Sequence, residues 1–265
     1  MTSRAGRLAL AGFTGLVLLF LYFPLSLVLA YAFNRSGTQA WPPSGLSLRW
    51  VEAALINTGL QNALLTSIGT ALGATVVAVI LGSLASLAVA RYRFFGRETV
   101  SFALVLPIAL PGVVTGMALS TTFATADLPL GFLAIVVGHA TFCVVLVYNN
   151  VIARLRRISS SLEEASADLG ADSFQTFRYV TFPQMRTAML AGALLAFALS
   201  FDEVIVTLFV AGGVKTLPIW IFQSFRLANQ VALVNVAGLA AILLSVIPVY
   251  IATRLTSDAG AAGRT

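Results

Sequence analysis

The chain has 265 residues, 58% of them hydrophobic and 10% charged, with a mean hydropathy of +0.93. Soluble globular chains carry about 25% charged residues, so this one has too few to cover an aqueous surface, and water is not its main solvent. A net charge of +6 would suggest nucleic acid as the partner of a soluble protein, but here the basic residues lie between long apolar runs. That is the pattern of loop charges flanking membrane spans, and it makes the partner a lipid bilayer rather than nucleic acid.

Charge-free intervals cover residues 8–34, 53–90, 99–126, 128–153, 187–201 and 227–253. All but 187–201 exceed the roughly 20 residues that cross a hydrocarbon core of about 30 Å. The short one continues past Asp202 and Glu203 into the apolar run Val204–Val214. The predicted fold class is an all-α integral membrane protein with six transmembrane helices, near 8–33, 60–90, 99–126, 128–153, 187–210 and 230–253. A single transmembrane domain over 1–265 is expected, with no separate soluble domain.

At the N-terminus, Arg4 and Arg7 precede the first apolar stretch, and Ala30-Tyr31-Ala32 resembles a signal-peptide cleavage site. A signal core is about 7–15 residues and this one is longer, so a retained first helix is expected. The connection 34–59 contains Trp41-Pro42-Pro43 and a short helix around Arg49–Leu55. Gly69 with Gly73, and Gly112 with Gly116, have the spacing that lets helices approach closely; in glycine-rich spans this reads as internal packing rather than a dimer seam. Pro107 and Pro111 are expected to bend or break the third span, which is tolerated where the freed carbonyls find protein or a cavity.

The fourth span holds His139 and Cys143. A lone cysteine inside a span forms neither an intrachain disulfide nor a zinc site, and no His, Cys, Asp or Glu pair has metal-ligand spacing. His139 could gate or bind a solute; a buried histidine bonded to a neighbouring helix is the favoured reading.

The connection 154–186 is the most informative segment. Ser161 and Glu164 have capping-box spacing, and Gly170 supplies a left-handed residue to end the helix they start. Leu162, Ala165, Ser166 and Leu169 then form one small apolar face. A second helix is predicted from Asp172 or Ser173 to about Val180, before Pro183 breaks the backbone ahead of the fifth span. Capping alone accounts for Ser161, Glu164 and Gly170; the small-residue face is also suited to docking in another protein's groove.

In the fifth span, Asp202 and Glu203 lie about 22 Å from the cytoplasmic start. Intramembrane carboxylates cost about 2.5–3.5 kcal/mol each and usually face a wet cavity or a partner. Either one of them lines the outer half of a pathway and favours a cationic group, or the helix ends there and they cap the segment that follows. The stretch Gly212–Ala228 is semi-apolar and is expected to lie at the interface or dip back in.

Alternate connections divide the Lys and Arg residues unequally. Twelve fall in the N-terminus, the 2–3 and 4–5 loops and the C-terminus, and four on the other side: Arg35, Arg49, Lys215 and Arg226. That bias predicts both termini in the cytoplasm.

The series Glu164-Ala165-Ser166, three residues, Gly170, nine residues, Val180-Thr181-Phe182-Pro183 resembles the EAA loop of permease subunits of type I ATP-binding-cassette (ABC) importers. Ser166 stands for the second Ala of that pattern, Val180 for Ile and Phe182 for Leu. Asn62, the run Arg91–Arg97, and Leu106-Pro107 through Pro111-Gly112 extend the resemblance. The segment Leu199-Ser200-Phe201-Asp202-Glu203, with Thr216-Leu217-Pro218, is similar to the spermidine/putrescine-type branch.

The resemblance implies that the first EAA helix, with Glu164, Ala165, Ser166, Gly170 and Pro183, couples the chain to a separate ATPase. The chain itself has no phosphate-binding loop: its only lysine, Lys215, follows Val214 rather than Gly. No cofactor is therefore expected here, and ATP and Mg would be bound by the partner ATPase. Expected partners are a second permease subunit (a copy or paralogue), two ABC ATPases and an external or periplasmic solute-binding protein. The expected place is the bacterial inner membrane, and the expected cargo a small solute such as a polyamine. The competing readings are a stand-alone secondary transporter or channel, for which no inverted repeat is found, and an intramembrane enzyme, for which His139, Cys143, Asp202 and Glu203 form no motif.

Overall fold

Helices account for nearly all of the regular structure in the computed structural model, which describes residues 4–159, 161–227 and 230–261. In chain order they are α1 (Arg4–Ala32), α2 (Arg49–Ile56), α3 (Thr58–Arg91), α4 (Arg97–Ala109), α5 (Gly112–Thr125), α6 (Phe132–Leu155), α7 (Ser161–Asp168), α8 (Ser173–Thr176), a π-turn (Phe177–Thr181), α9 (Phe182–Phe201), α10 (Ile205–Val210), α11 (Leu217–Ser224) and α12 (Val231–Ala261). Among the described residues, five helices are long and apolar enough to cross a membrane, or six if α4 and α5 together form one span.

The chain divides into two compact units. The first takes the chain up to Gln61 together with Trp220–Ile242, and the second Asn62–Ile219 with the chain from Leu243. In the first, Asn34 is fully buried and organises the loop after α1. Its amide donates to Ser36 Oγ and the Thr38 carbonyl, and its Oδ1 accepts from the Ser44 amide at 3.0 Å. The short helix expected around Arg49–Leu55 is α2. Asn57 starts α3 by accepting the Leu60 amide at 2.8 Å, so the second span begins before residue 60.

In the second unit α6 is the hub. Ile135, Cys143, Val145, Val147, Val151 and Leu155 are all fully buried on it, which requires neighbours on every side. Glycines make those neighbours close. A Cβ on Gly82 of α3 would lie 2.9 Å from Val147 and 3.0 Å from the Val144 carbonyl, and one on Gly192 of α9 would lie 2.9 Å from the Val147 Cα. Gly69 and Gly73 face Phe132 and Val136, while Gly112 and Gly116 face Ile205 and Phe209 of α10. Both spaced glycine pairs are therefore seams within the chain. Polar side chains add cross-helix bonds: Ser86 Oγ donates to the Tyr148 carbonyl at 3.1 Å, and the Tyr148 hydroxyl pairs with Ser101 Oγ of α4 at 2.7 Å. Because the Gly82 Cβ would meet backbone, Gly82→Ala is expected to destabilise the protein by about 1–3 kcal/mol. Thermal unfolding in detergent, with an unchanged Tm as the contrary result, checks this.

The third span breaks as its prolines suggest, but only one of them breaks it. Pro107 stays within α4, whereas Leu110 is extended before Pro111 and α5 sets off at 106°.

The fifth span departs from its expected limits of 187–210 at both ends. Helix runs unbroken from Ser173 through Pro183 to Phe201. Proline lacks an N–H and would clash with the carbonyl four residues back. The π-turn just before it removes the conflict by widening the coil, the Phe182 amide bonding the Phe177 carbonyl five residues back. At the other end the helix stops at Phe201 and restarts as α10 at Ile205.

Candidate functional site

The predicted elbow exists, built by different residues at its start. Ser161 lies inside the first turn of α7. Its amide bonds Ser159 Oγ at 3.2 Å, its hydroxyl pairs with the same oxygen at 2.7 Å, and the Leu162 amide bonds the Ser159 carbonyl. Ser159 Oγ thus takes the Ser161 amide that the Glu164 carboxylate would have reached in the expected capping box. A capping box does form one helix later: Asp172 Oδ1 accepts the Gln175 amide at 2.8 Å and Gln175 Oε1 accepts the Asp172 amide at 3.0 Å.

Between the helices Gly170 adopts φ +86°. Its amide bonds the Ala167 carbonyl at 2.9 Å and the Ala171 amide bonds Ser166 at 3.1 Å, the paired bonds of a left-handed helix end. Glu164, Ala165 and Gly170 are exposed, and Leu169 is 90% exposed beside them. Ser166 faces inward and pairs with Thr176 Oγ1 at 3.0 Å. Just beyond, Phe174, Phe177, Arg178 and Phe182 line an open cleft of about 460 Å³. The elbow therefore carries uncovered apolar groups on a segment rich in charge.

Glu163 escaped the sequence reading. Its Oε1 lies 2.9 Å from Arg91 Nη2 at the end of α3, an ion pair, and accepts from Thr181 Oγ1 at the end of the π-turn, also at 2.9 Å. Only the opposite signs of Arg91 and Glu163 in loops expected on one side of the membrane hinted at this pair.

A second constellation surrounds the break after α9. Glu203 Oε1 accepts the Val206 amide at 2.9 Å, capping the first turn of α10, while its carbonyl accepts the Thr207 hydroxyl at 2.8 Å. Glu203 also borders a cavity of about 200 Å³ with Pro107, Leu110, Thr115, Phe142 and Leu199. Of the two readings offered for these acids, the helix break with a cap on the next segment is the arrangement seen at Glu203. Asp202 ends α9 and is exposed.

His139 is 0% exposed, with both ring nitrogens engaged: Nδ1 with Ser200 Oγ at 2.7 Å and Nε2 with Thr207 Oγ1 at 2.8 Å. The histidine pins α9 and α10 to α6 on either side of the break. This is the bonded, buried arrangement favoured over a gating or solute-binding histidine.

A family profile described as binding-protein-dependent transport system inner membrane component matches residues 78–258, a range that contains the elbow, the break and His139. The chain belongs to this family. Among relatives of this permease, the putrescine transport system permease protein PotI of Escherichia coli K12 is 35% identical over 227 residues, covering 82% of this chain and 78% of PotI. The spermidine/putrescine transport system permease protein PotC of the same organism is 31% identical over 255 residues, covering 96% of each chain. Two solved structures share the fold. A bacterial ABC transporter involved in the import of the acidic polysaccharide alginate matches with TM-score 0.71 at 18% identity, over 97% of this permease and 98% of that chain. The MetNI methionine ABC transporter matches with TM-score 0.58 at 17% identity, over 77% and 99%. The protein is thus a multi-pass permease subunit of an ABC importer in the bacterial inner membrane, a transport component and not a catalytic one.

Proposed function

We propose that this permease forms half of a translocation pathway for a polyamine or a similar small cationic amine, and that ATP bound with Mg to a separate pair of ABC ATPases drives it through the α7 elbow. A second permease subunit, a copy or a paralogue, supplies the other half, and an external binding protein delivers the solute. Both termini lie in the cytoplasm, which puts the twelve basic residues of the N-terminus, the 2–3 and 4–5 loops and the C-terminus on that side.

The observation that carries the coupling reading is the exposed outer face of α7. Glu164 and Ala165 on α7, and Leu169 just after it, stand uncovered while the far side of the helix is tied to its own chain, which leaves a small, close-fitting surface for an ATPase cleft. The cationic cargo is supported by the names of PotI and PotC and by Glu203 at the cavity beside the helix break.

A tag on this subunit should co-purify an ATPase and a second permease, and the accompanying binding protein should bind putrescine or spermidine. Recovery of the tagged subunit alone, active in uptake without ATP, would instead establish a stand-alone transporter. For the pathway, Glu203→Gln is expected to slow polyamine uptake about tenfold, from loss of the carboxylate at the cavity and weakening of the α10 cap, and Asp202→Asn to slow it less. Unchanged uptake in both variants removes the acids from the pathway.

A further inference from the structure

Glu163 and Glu164 are neighbours on α7 and diverge by about 100° around the helix axis. Glu164 points to the exposed outer face, while Glu163 points inward and is held. Its side chain is 22% exposed and that of Arg91 20%, so the pair is largely shielded from water and salt. A single oxygen, Oε1, forms the ion pair with Arg91 Nη2 and accepts a hydroxyl bond from Thr181, each at 2.9 Å. Partners from two different elements hold the carboxylate, unlike an exposed surface pair whose side chains wander.

The three groups belong to segments far apart in the chain. Arg91 is the last residue of α3, Thr181 closes the π-turn at the root of α9, and Glu163 lies on the elbow. The other inward bond of α7, from Ser166 to Thr176, reaches only α8. Arg91 is at the end of the helix that abuts α6 through Gly73 and Gly82, so a displacement delivered to Arg91 reaches the hub of the unit.

We propose that Glu163 is a positioning residue that transmits movement of the elbow into α3 and the root of α9, with the Glu163–Arg91 ion pair as the link to α3. The inference rests on the coupling reading of the elbow. Glu164 faces the motor and Glu163 faces the membrane helices, so one turn of α7 works as a two-sided connector.

The test uses the purified complex in proteoliposomes, with a fluorophore on Tyr92→Cys, an exposed position next to Arg91. Trapping the ATPase with ATP and vanadate is expected to shift the fluorescence in the otherwise unaltered protein. Glu163→Gln, which keeps an acceptor for Thr181 but loses the charge, should shrink that shift about fivefold or more. Glu163→Ala should do the same, and co-purification of the ATPase should stay intact in both. Arg91→Gln should match Glu163→Gln, the double variant should be no worse than either, and Arg91→Lys should recover part of the signal. A full shift in Glu163→Ala, or additive losses in the double variant, overturns the proposal. Loss of the ATPase from Glu163→Gln makes the residue a docking contact and also overturns it. A silent probe with the ATPase attached and no substitution at 163 refutes transmission to α3. Failure of the ATPase to co-purify with that same protein refutes the coupling reading itself.

Discussion

Gly170→Pro is expected to cut ATP-driven uptake more than tenfold while the membrane helices still fold. Proline is locked near φ −65° and has no N–H, whereas residue 170 sits at φ +86° and donates to the Ala167 carbonyl. The turn that aims α7 cannot form around it. The glycine is exposed, and a Cβ there would meet nothing within 4 Å, so packing plays no part in the loss. That makes a graded series informative. Gly170→Ala adds only the left-handed backbone penalty of about 1–2 kcal/mol, and Gly170→Asn less, because Asn tolerates that region. Uptake and binding-protein-stimulated ATP hydrolysis should fall in the order Asn, Ala, Pro, with amounts in the membrane unchanged. Equal activity across the series would show that the elbow's shape is irrelevant to coupling.

The second large effect is at His139. Replacing it with Ala removes a fully buried ring and leaves the Ser200 hydroxyl without its partner, while Thr207 keeps its bond to the Glu203 carbonyl. The orphaned hydroxyl costs about 1–3 kcal/mol and the vacated volume adds to that, for a total of about 3–5 kcal/mol. Thermal unfolding in detergent should show a Tm lower by several degrees. The mechanism has a second signature: His139→Leu combined with Ser200→Ala and Thr207→Val should be more stable than His139→Leu alone, because no hydroxyl that faced the ring is left without it. A triple variant no more stable than His139→Leu would mean that the ring acts by volume and not as a polar pin.

The elements visible in the sequence were those set by local chemistry. Apolar runs marked the spans, Pro111 marked the break between α4 and α5, and Gly170 marked the end of α7, because a left-handed residue announces itself in its own side chain. The details that were missed depend on partners elsewhere. Ser161 has the right spacing for a cap, yet Ser159 upstream takes its amide. Pro183 reads as a helix breaker, and nothing local reveals that a π-turn accommodates it. Glu163 looks like any surface acid until Arg91, seventy-two positions earlier in the sequence, is placed against it. For Asp202 and Glu203 the sequence left two roles open; the break shows Glu203 capping α10, with a cavity beside it.

The π-turn at Phe177–Thr181 has a mechanical consequence. Because it carries the coil past Pro183, the 29 residues Ser173–Phe201 form one rod, about 43 Å long. A rod acts as a lever. A tilt of about 10° at the elbow end sweeps the far end through about 7 Å at that length, and the far end is where Asp202 and Glu203 interrupt the helix. The first interruption of the helix along this path is the joint pinned by His139, so by this geometry a small rocking motion at the elbow end would be larger there.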